Sequence, residues 1–319
     1  MKKISKLISY IVLIIIVALV YAERVTIRDI ITGLFYQEPE NVLSIEEKLD
    51  LTDYAKVIFR ASRPELNSKE EFATHCASSD VTVTALGCYT NSTIYIYNIE
   101  SEDLDGIKES TAAHELLHAA WDRLSEGEKQ AIEEDLKKIY ENNSEINSEL
   151  SGIYDEADHQ NEIFARAGVE IKNLPEKLEN LYSKYFKDQD KIVDYYNQYS
   201  KIFKDLTKEA DNLKDKLDNL NSSIVADSAD YKTRADNLAQ EIQDFNGCAS
   251  RTGCFTNNGQ FTSRRNELIG KQQSLQDLYN RIVNKINEYN SLVEKLNENT
   301  LQLKYYQNMI NSNADVPSL

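Results

Sequence analysis

The sequence has few positive charges, and it has no basic cluster beyond its first residues. Its 319 residues contain 36 lysines and arginines against 53 aspartates and glutamates, a net charge of −17 at pH 7. Such a surface repels phosphate backbones, so we expect no nucleic-acid partner. With 41% hydrophobic residues, the chain still has enough apolar side chains for one sizeable core and a second structural element.

Cysteine is scarce, with four residues, and no two of them have the two-residue spacing of a thiolate zinc site. They form two local pairs instead, Cys76 with Cys88 and Cys248 with Cys254. An even number of cysteines at short separations in an exported chain predicts two disulfides. A zinc knuckle that uses all four cysteines is the alternative.

The composition of residues 1–22 indicates that the chain is exported. Three lysines precede an apolar run over residues 7–22, which is the pattern of a signal peptide or of a short membrane anchor with its positive end in the cytoplasm. We favour a retained anchor, because extension back to Ile4 gives about the 20 residues that a bilayer requires. The expected location is the cell membrane, single-pass with the main part extracytoplasmic, or secreted if this segment is cleaved.

Histidine is also rare, and two of the four histidines lie one helical turn apart. His114 and His118 point to the same side of a predicted helix over 107–124, with Glu115 beside them. This HExxH pattern allows both imidazoles to bind one tetrahedral Zn²⁺ while Glu115 serves a water molecule. The flanking residues are small or apolar, as in a helix buried beneath a cleft. Histidines buried for packing are the alternative interpretation.

A catalytic zinc needs a third protein ligand. The extended HExxHxxGxxH pattern fails, because Trp121 and Leu124 occupy its glycine and final histidine positions. The ligand therefore lies downstream, where one helical stretch offers several candidates. These are Asp155, Glu156, Asp158, His159 and Glu162. We favour Glu162, with His159 as its main competitor.

At these positions the chain resembles the gluzincin zinc metallopeptidases, such as the thermolysin-like enzymes, in which a glutamate on a later helix completes the HExxH site. The resemblance rests on the motif from His114 to His118 and on Asn161-Glu162. It implies zinc bound by His114, His118 and Glu162, with Glu115 as the catalytic base. The chain is also similar to a set of bacterial membrane-anchored HExxH proteins with a coiled-coil tail. That similarity involves Gly87-Cys88-Tyr89, Ile94-Tyr95-Ile96-Tyr97, Leu104-Asp105-Gly106 and the zinc helix.

The chain departs from the gluzincin pattern at Arg166, where many members carry an aspartate that orients a histidine. The residues that orient the ligands are thus unassigned, and the candidates are Asp122, Asp155 and Asp158. A donor to the tetrahedral oxyanion is expected from Tyr154, His159 or Arg166.

The chain before the zinc helix predicts a small sheet. Residues 81–86 and Thr93 to Tyr97 are rich in β-branched and aromatic residues and are predicted as strands, separated by Gly87-Cys88-Tyr89 and by Asn91-Ser92. The second of these is placed where an edge strand of a zinc protease binds substrate, although a purely structural role is equally consistent with the sequence. A short helix leading into an extended piece is expected over residues 45–61. Ser125 and Glu128 predict a capping box for a helix through Tyr140, followed by a break over 142–148 and a helical stretch over 150–167.

From residue 188 onward, apolar residues recur every 3.5 positions in two series separated by a polar segment over 247–260. This spacing predicts an antiparallel coiled-coil hairpin with its tip at 246–261, locked by Cys248 and Cys254. Asp227 and Arg234 interrupt the first series. A parallel homodimer is the alternative.

The expected fold is α+β, a mostly helical zincin-like metalloprotease domain with a small sheet and a long coiled-coil hairpin. The predicted domains are the N-terminal segment 1–22, a juxtamembrane connector 23–44, the metallopeptidase domain 45–187, the hairpin 188–312 and a flexible tail 313–319. The expected function is Zn²⁺-dependent hydrolysis of peptide or protein substrates. The alternative is a zinc-stabilised envelope scaffold that binds a protein partner or self-associates through its coiled coil.

Overall fold

The computed structural model describes residues 24–76, 85–150 and 156–312. These residues form a mostly helical α+β fold with a small sheet, which confirms the expected class. The predicted anchor at 1–22 and tail at 313–319 lie outside the described residues. The elements before the sheet are α1 (Arg24–Phe35), α2 (Glu40–Leu49), α3 (Asp53–Ala61), β1 (Glu65–Asn67) and α4 (Lys69–His75). Those that follow are β2 (Gly87–Thr90), β3 (Thr93–Tyr97), α5 (Ile107–Trp121), α6 (Glu126–Asn142), α7 (Ser144–Leu150), α8 (Glu156–Glu170), α9 (Glu176–Tyr182), α10 (Gln189–Ala249) and α11 (Asn258–Ile310).

The sheet has the order β1-β3-β2, with β1 parallel and β2 antiparallel to β3. The prediction that Thr93 to Tyr97 forms an edge strand is therefore wrong, because β3 is central. The segment Gly87-Cys88-Tyr89, predicted as a separator, is part of β2. Asn91 and Ser92 both have positive φ values, and this is the backbone of a tight two-residue hairpin, which joins β2 directly to β3. Most of the other predicted strand, residues 81–84, lies outside the described residues.

Local polar side chains set several helix boundaries. The capping box of Ser125 and Glu128 is present at the start of α6, as predicted. The predicted break over 142–148 is wrong beyond Asn143, because the Asn143 side chain accepts the backbone N–H groups of Glu145 and Ile146 and starts α7. The extended piece expected after a short helix within residues 45–61 is wrong, because a second helix, α3, follows once Asp50 in a left-handed conformation has ended α2.

The core surrounds α5, whose small and apolar residues are fully buried on nearly all sides, as predicted. These residues are Ala112, Ala113, Leu116, Leu117, Ala119 and Ala120. Ile94 and Ile96 of β3 are also fully buried. On the side of α8, Trp121 packs against Phe164 with ring centroids 5.3 Å apart. The zinc helix predicted from sequence is thus the most enclosed helix of this core.

Glu38, Glu46 and Arg60 form a partly buried cluster next to α2 and α3. Arg60 binds Glu46 at 2.8 Å and Glu38 at 3.2 Å, so one guanidinium is shared by two carboxylates. Burial, together with the charge of Glu46, raises the pKa of Glu38 to about 7, against the opposing charge of Arg60. One oxygen of Glu38, Oε1, is buried without a hydrogen-bond partner. The folded protein therefore holds a proton at this cluster that the unfolded chain releases more readily.

We expect Glu38→Gln to stabilise the protein at pH 8 by about 1 to 2 kcal/mol and to have little effect at pH 4. The pKa of Glu38 is higher in the folded than in the unfolded chain. Between about pH 4.5 and 7 the unfolded chain loses this proton first, so the wild-type free energy of unfolding falls as pH rises. Denaturant unfolding at several pH values measures the effect. Glu47→Gln, the same change at an exposed position of α2, is the control. A stability difference that does not vary with pH would contradict the assignment.

Contacts within the chain divide it into two compact units, one made of residues up to Ile202 together with residues from Gln307, and the other of Phe203–Tyr306. Within the second unit, Lys271 of α11 binds Glu241 of α10 at 2.6 Å. Lys285 binds Asp227 at 2.7 Å, so the acidic residue that interrupts the first apolar series has a partner. Further along, the amide of Asn299 contacts Glu209.

The periodicity locates the buried side of α11 only in part. The second apolar series of the sequence includes Leu268, Tyr279, Ile282 and Ile286. Leu268 and Ile282 are buried, and so is Leu278, which lies outside the series. Tyr279 and Ile286 are exposed. Both predicted disulfides, Cys76–Cys88 and Cys248–Cys254, are present. Among the helices that the structure describes, none has the length and apolar character needed to cross a bilayer.

Candidate metal centre

The two motif histidines face each other on α5. The Nε2 atoms of His114 and His118 are 3.1 Å apart, as expected for residues separated by one helical turn. About a fifth of each side chain is exposed, although the helix around them is buried. Both imidazoles are therefore partly accessible to solvent.

Glu162 on α8 meets the histidine pair. Its Oε1 lies 3.6 Å from His114 Nε2, and its Oε2 lies 3.4 Å from His118 Nε2. The close packing of α8 on α5 depends on Gly168, because a Cβ atom there would lie 2.5 Å from Leu117 Cδ1 and 2.8 Å from the ring of Tyr182. Glycine at this position lets the helix that carries Glu162 approach the helix that carries the histidines.

The spacing of the three side chains fits a tetrahedral metal ion. Ligand atoms at about 2.0 to 2.1 Å from such an ion are about 3.3 Å from one another, and the Nε2–Nε2 separation of 3.1 Å lies close to this value. Each Nε2 atom also has one Glu162 oxygen near this distance, Oε1 at 3.6 Å from His114 and Oε2 at 3.4 Å from His118. In the described part of the chain, His114, His118 and Glu162 are the group whose ligand atoms come together in this way. His159 does not belong to it, and its ring packs against Tyr140 with centroids 4.4 Å apart.

Comparison with known proteins identifies no relative. The chain matches no family model, no curated protein and no solved structure. The gluzincin resemblance therefore has only the short motifs as its basis.

Asn161 orients one of the histidines, a role that the sequence had not assigned to it. Its Oδ1 lies 3.0 Å from His118 Nδ1, so Nδ1–H donates to the amide oxygen and Nε2 is left free to bind a cation. Of the predicted candidates, Asp122 is exposed at the end of α5, and Asp155 lies outside the described residues. The one signal for Asn161 was its position next to Glu162.

Glu115 lies beneath strand β2. Its side chain is buried and accepts a hydrogen bond from the backbone N–H of Tyr89. A Cβ atom at Gly87 would lie 2.6 Å from Glu115 Oε1 and 2.6 Å from Thr111 Cγ2, so glycine is required where the strand crosses the helix. The segment predicted to be a separator is therefore part of the wall of the site and supports Glu115.

The charges at this centre favour a cation. Burial alone would raise the pKa of Glu162, but the charge and hydrogen bonds of the histidines hold it well below its usual range. Burial opposes protonation of His118, yet the hydrogen bond that its ring N–H donates to Glu162, together with the charges of Glu115 and Glu162, raises its pKa to about 9. Burial raises the pKa of Glu115. The carboxylates of Glu115 and Glu162 thus favour positive charge at the imidazole of His118.

The predicted oxyanion donors are not assembled at the centre by the described residues. Tyr154 lies outside them, and His159 packs on Tyr140. Arg166 is buried and binds Glu170 at 2.7 Å and Glu149 at 2.6 Å. Its guanidinium is therefore engaged by two carboxylates, which the sequence pattern did not indicate.

Proposed function

We propose that this protein is a zinc-dependent metallopeptidase that binds zinc through His114, His118 and Glu162. The observation that carries the proposal is the convergence of these three side chains at separations that fit one tetrahedral ion. Imidazole and carboxylate ligands suit zinc, and they also accept other divalent ions. The resemblance to gluzincins agrees with this ligand set.

The residues of the chain divide the chemistry between them. A zinc ion held there supplies Lewis acidity and lowers the pKa of a bound water toward about 7. Glu115 accepts a proton from the attacking water while the oxygen of that water bonds to the peptide carbonyl carbon. It then delivers the proton to the amine nitrogen as the C–N bond breaks. Asn161 keeps His118 in the tautomer that presents Nε2, and the β2 segment keeps Glu115 in place.

The ligand count favours an enzyme over the scaffold alternative. A structural zinc site is closed by a fourth protein ligand, whereas a catalytic site keeps that position for water. In the part of the chain that the structure describes, the ligand group has three members, and its histidines are partly exposed. Both features support a catalytic site.

Two further proposals concern the rest of the chain. We propose that α10 and α11 form an antiparallel coiled-coil arm, which is supported by the contacts of Lys271, Lys285 and Asn299 with progressively earlier residues of α10. The Cys248–Cys254 disulfide supports the predicted tip. We also propose that residues 1–22 anchor the protein so that its main part is extracytoplasmic, where disulfides persist.

Elemental analysis and a cleavage assay on the purified full chain in detergent test the function. We expect about one zinc per chain, hydrolysis of unstructured peptides, loss of hydrolysis with a chelator, and recovery on adding zinc. Hydrolysis that is insensitive to the chelator would refute a metallopeptidase. A chain that binds zinc but cleaves no peptide would favour the scaffold.

A further inference from the structure

Helix α1 exposes apolar side chains on one face. Among the described residues of the first unit, eight large apolar side chains are exposed, and six of them lie on α1. Five follow helical spacing around one side, and they form what we call the apolar face of α1. These residues are Ile27, Ile30, Ile31, Leu34 and Phe35. Leu34 and Phe35 are the most exposed, at 78% and 83%.

The opposite side of α1, which packs against the protein, is polar and small. Asp29 is the buried residue of the helix, and Arg123, just after α5, binds it at 2.6 and 3.2 Å. Gly33 lies against α3, where a Cβ atom would contact Arg60 Cβ at 3.4 Å. A helix that covers a soluble core normally buries its apolar side. The amphipathic character of α1 is therefore inverted, and the orientation is fixed by an ion pair.

The sequence that precedes α1 indicates what covers this face. The apolar run over residues 7–22 is separated from α1 by Glu23 alone, so α1 follows directly on the segment with membrane character. Arg24 and Arg28 lie beside the apolar face, and Arg28, which contacts Asp29 at 3.4 Å, has a 64% exposed side chain. Apolar residues flanked by arginines are typical of helices that lie in the interface of an anionic bilayer. Helix α1 is about 18 Å long. The area of its apolar face is therefore smaller than the about 800 Å² that each partner buries in a stable dimer.

We propose that α1 lies on the membrane surface, with its apolar face among the lipid acyl chains and its arginines at anionic headgroups. The Asp29–Arg123 ion pair then joins this interfacial helix to the end of α5. The proposal is independent of the peptidase chemistry, because it involves neither the metal ligands nor Glu115.

Tryptophan fluorescence of the full chain, reconstituted in vesicles of phosphatidylcholine and phosphatidylglycerol, tests the proposal. The native Trp121 is buried and provides a constant background. A Leu34→Trp variant places the probe on the apolar face, and Leu301→Trp, on α11, is the matched control because Leu301 is also strongly exposed, at 68%. We expect lipids brominated in the acyl chains to quench most of the added emission of Leu34→Trp, and a soluble quencher to act on Leu301→Trp instead.

The other outcomes overturn the proposal. If acyl bromines leave Leu34→Trp unquenched, the face is not in lipid. If they quench both variants equally, the association is not specific to α1. If the Leu34→Trp emission changes with protein concentration in detergent and is insensitive to bromines in vesicles, the face binds a second copy. Because both substitutions lie at exposed positions, circular dichroism is expected to show an unchanged fold in each variant.

Discussion

Replacing Glu115 with glutamine is expected to remove peptide hydrolysis while the metal content stays unchanged. Glutamine keeps the size of the side chain and can still contact the Tyr89 amide region, but it cannot accept a proton from water. General acid–base catalysis typically contributes about 10² to 10⁴-fold to the rate, so kcat should fall by a factor of about 10² or more. Steady-state cleavage of a peptide substrate and elemental analysis of the same preparation provide the two measurements.

Glu109→Gln is the matched control for this variant. Glu109 is a buried glutamate of the same helix that binds Lys48 at 2.6 Å, and it lies outside the ligand group. This variant should keep both metal and hydrolysis. Undiminished turnover in Glu115→Gln would remove the base from the mechanism, and loss of metal in that variant would show that Glu115 acts in binding instead.

The Glu162→Gln variant is expected to bind zinc more than about 100-fold more weakly than the wild type. Residues that orient a metal ligand are typically worth about 10 to 100-fold in affinity, and loss of a ligand itself should cost more. Competition with a chromogenic chelator measures the dissociation constant. Asn161→Ala should give an intermediate loss, because it removes the hydrogen bond that orients His118.

His159→Asn separates the two ligands that the sequence left in competition. His159 packs on Tyr140 and is absent from the ligand group of the described residues, so this variant should keep wild-type zinc affinity. The opposite pattern, in which His159→Asn loses zinc and Glu162→Gln retains it, would reverse the assignment of the third ligand.

The sequence predicted the parts of the site that depend on local spacing. His114 and His118 are four residues apart, and the helical period alone makes them neighbours. Glu162 lies 44 residues after His118, so its placement depends on the packing of α8 on α5, which composition does not encode. The resemblance to gluzincins, and not periodicity, favoured it. Asn161 was missed because the choice of an orienting partner depends on side-chain direction.

The sheet and α1 show a second limit of sequence reasoning. Gly87 was interpreted as punctuation, because glycine usually marks turns, whereas its function is to let a strand cross α5 at close range. The sequence predicted a connector where α1 lies. A hydrophobic pattern does not show which side of a helix is covered, and the apolar residues of α1 face away from the core. The long helices α10 and α11 were predicted correctly because their repeat persists over many turns.

The Cys76–Cys88 bridge has a consequence for when the protein becomes competent. Cys88 lies between Gly87 and Tyr89, so the bridge fastens the strand above Glu115 to the end of α4. A newly made chain in a reducing cytoplasm lacks this disulfide. Strand β2, which packs on the proposed base Glu115, is then less firmly held. Oxidation of this pair after the proposed export would complete the enclosure, and it would make maturation of the proposed enzyme depend on that export.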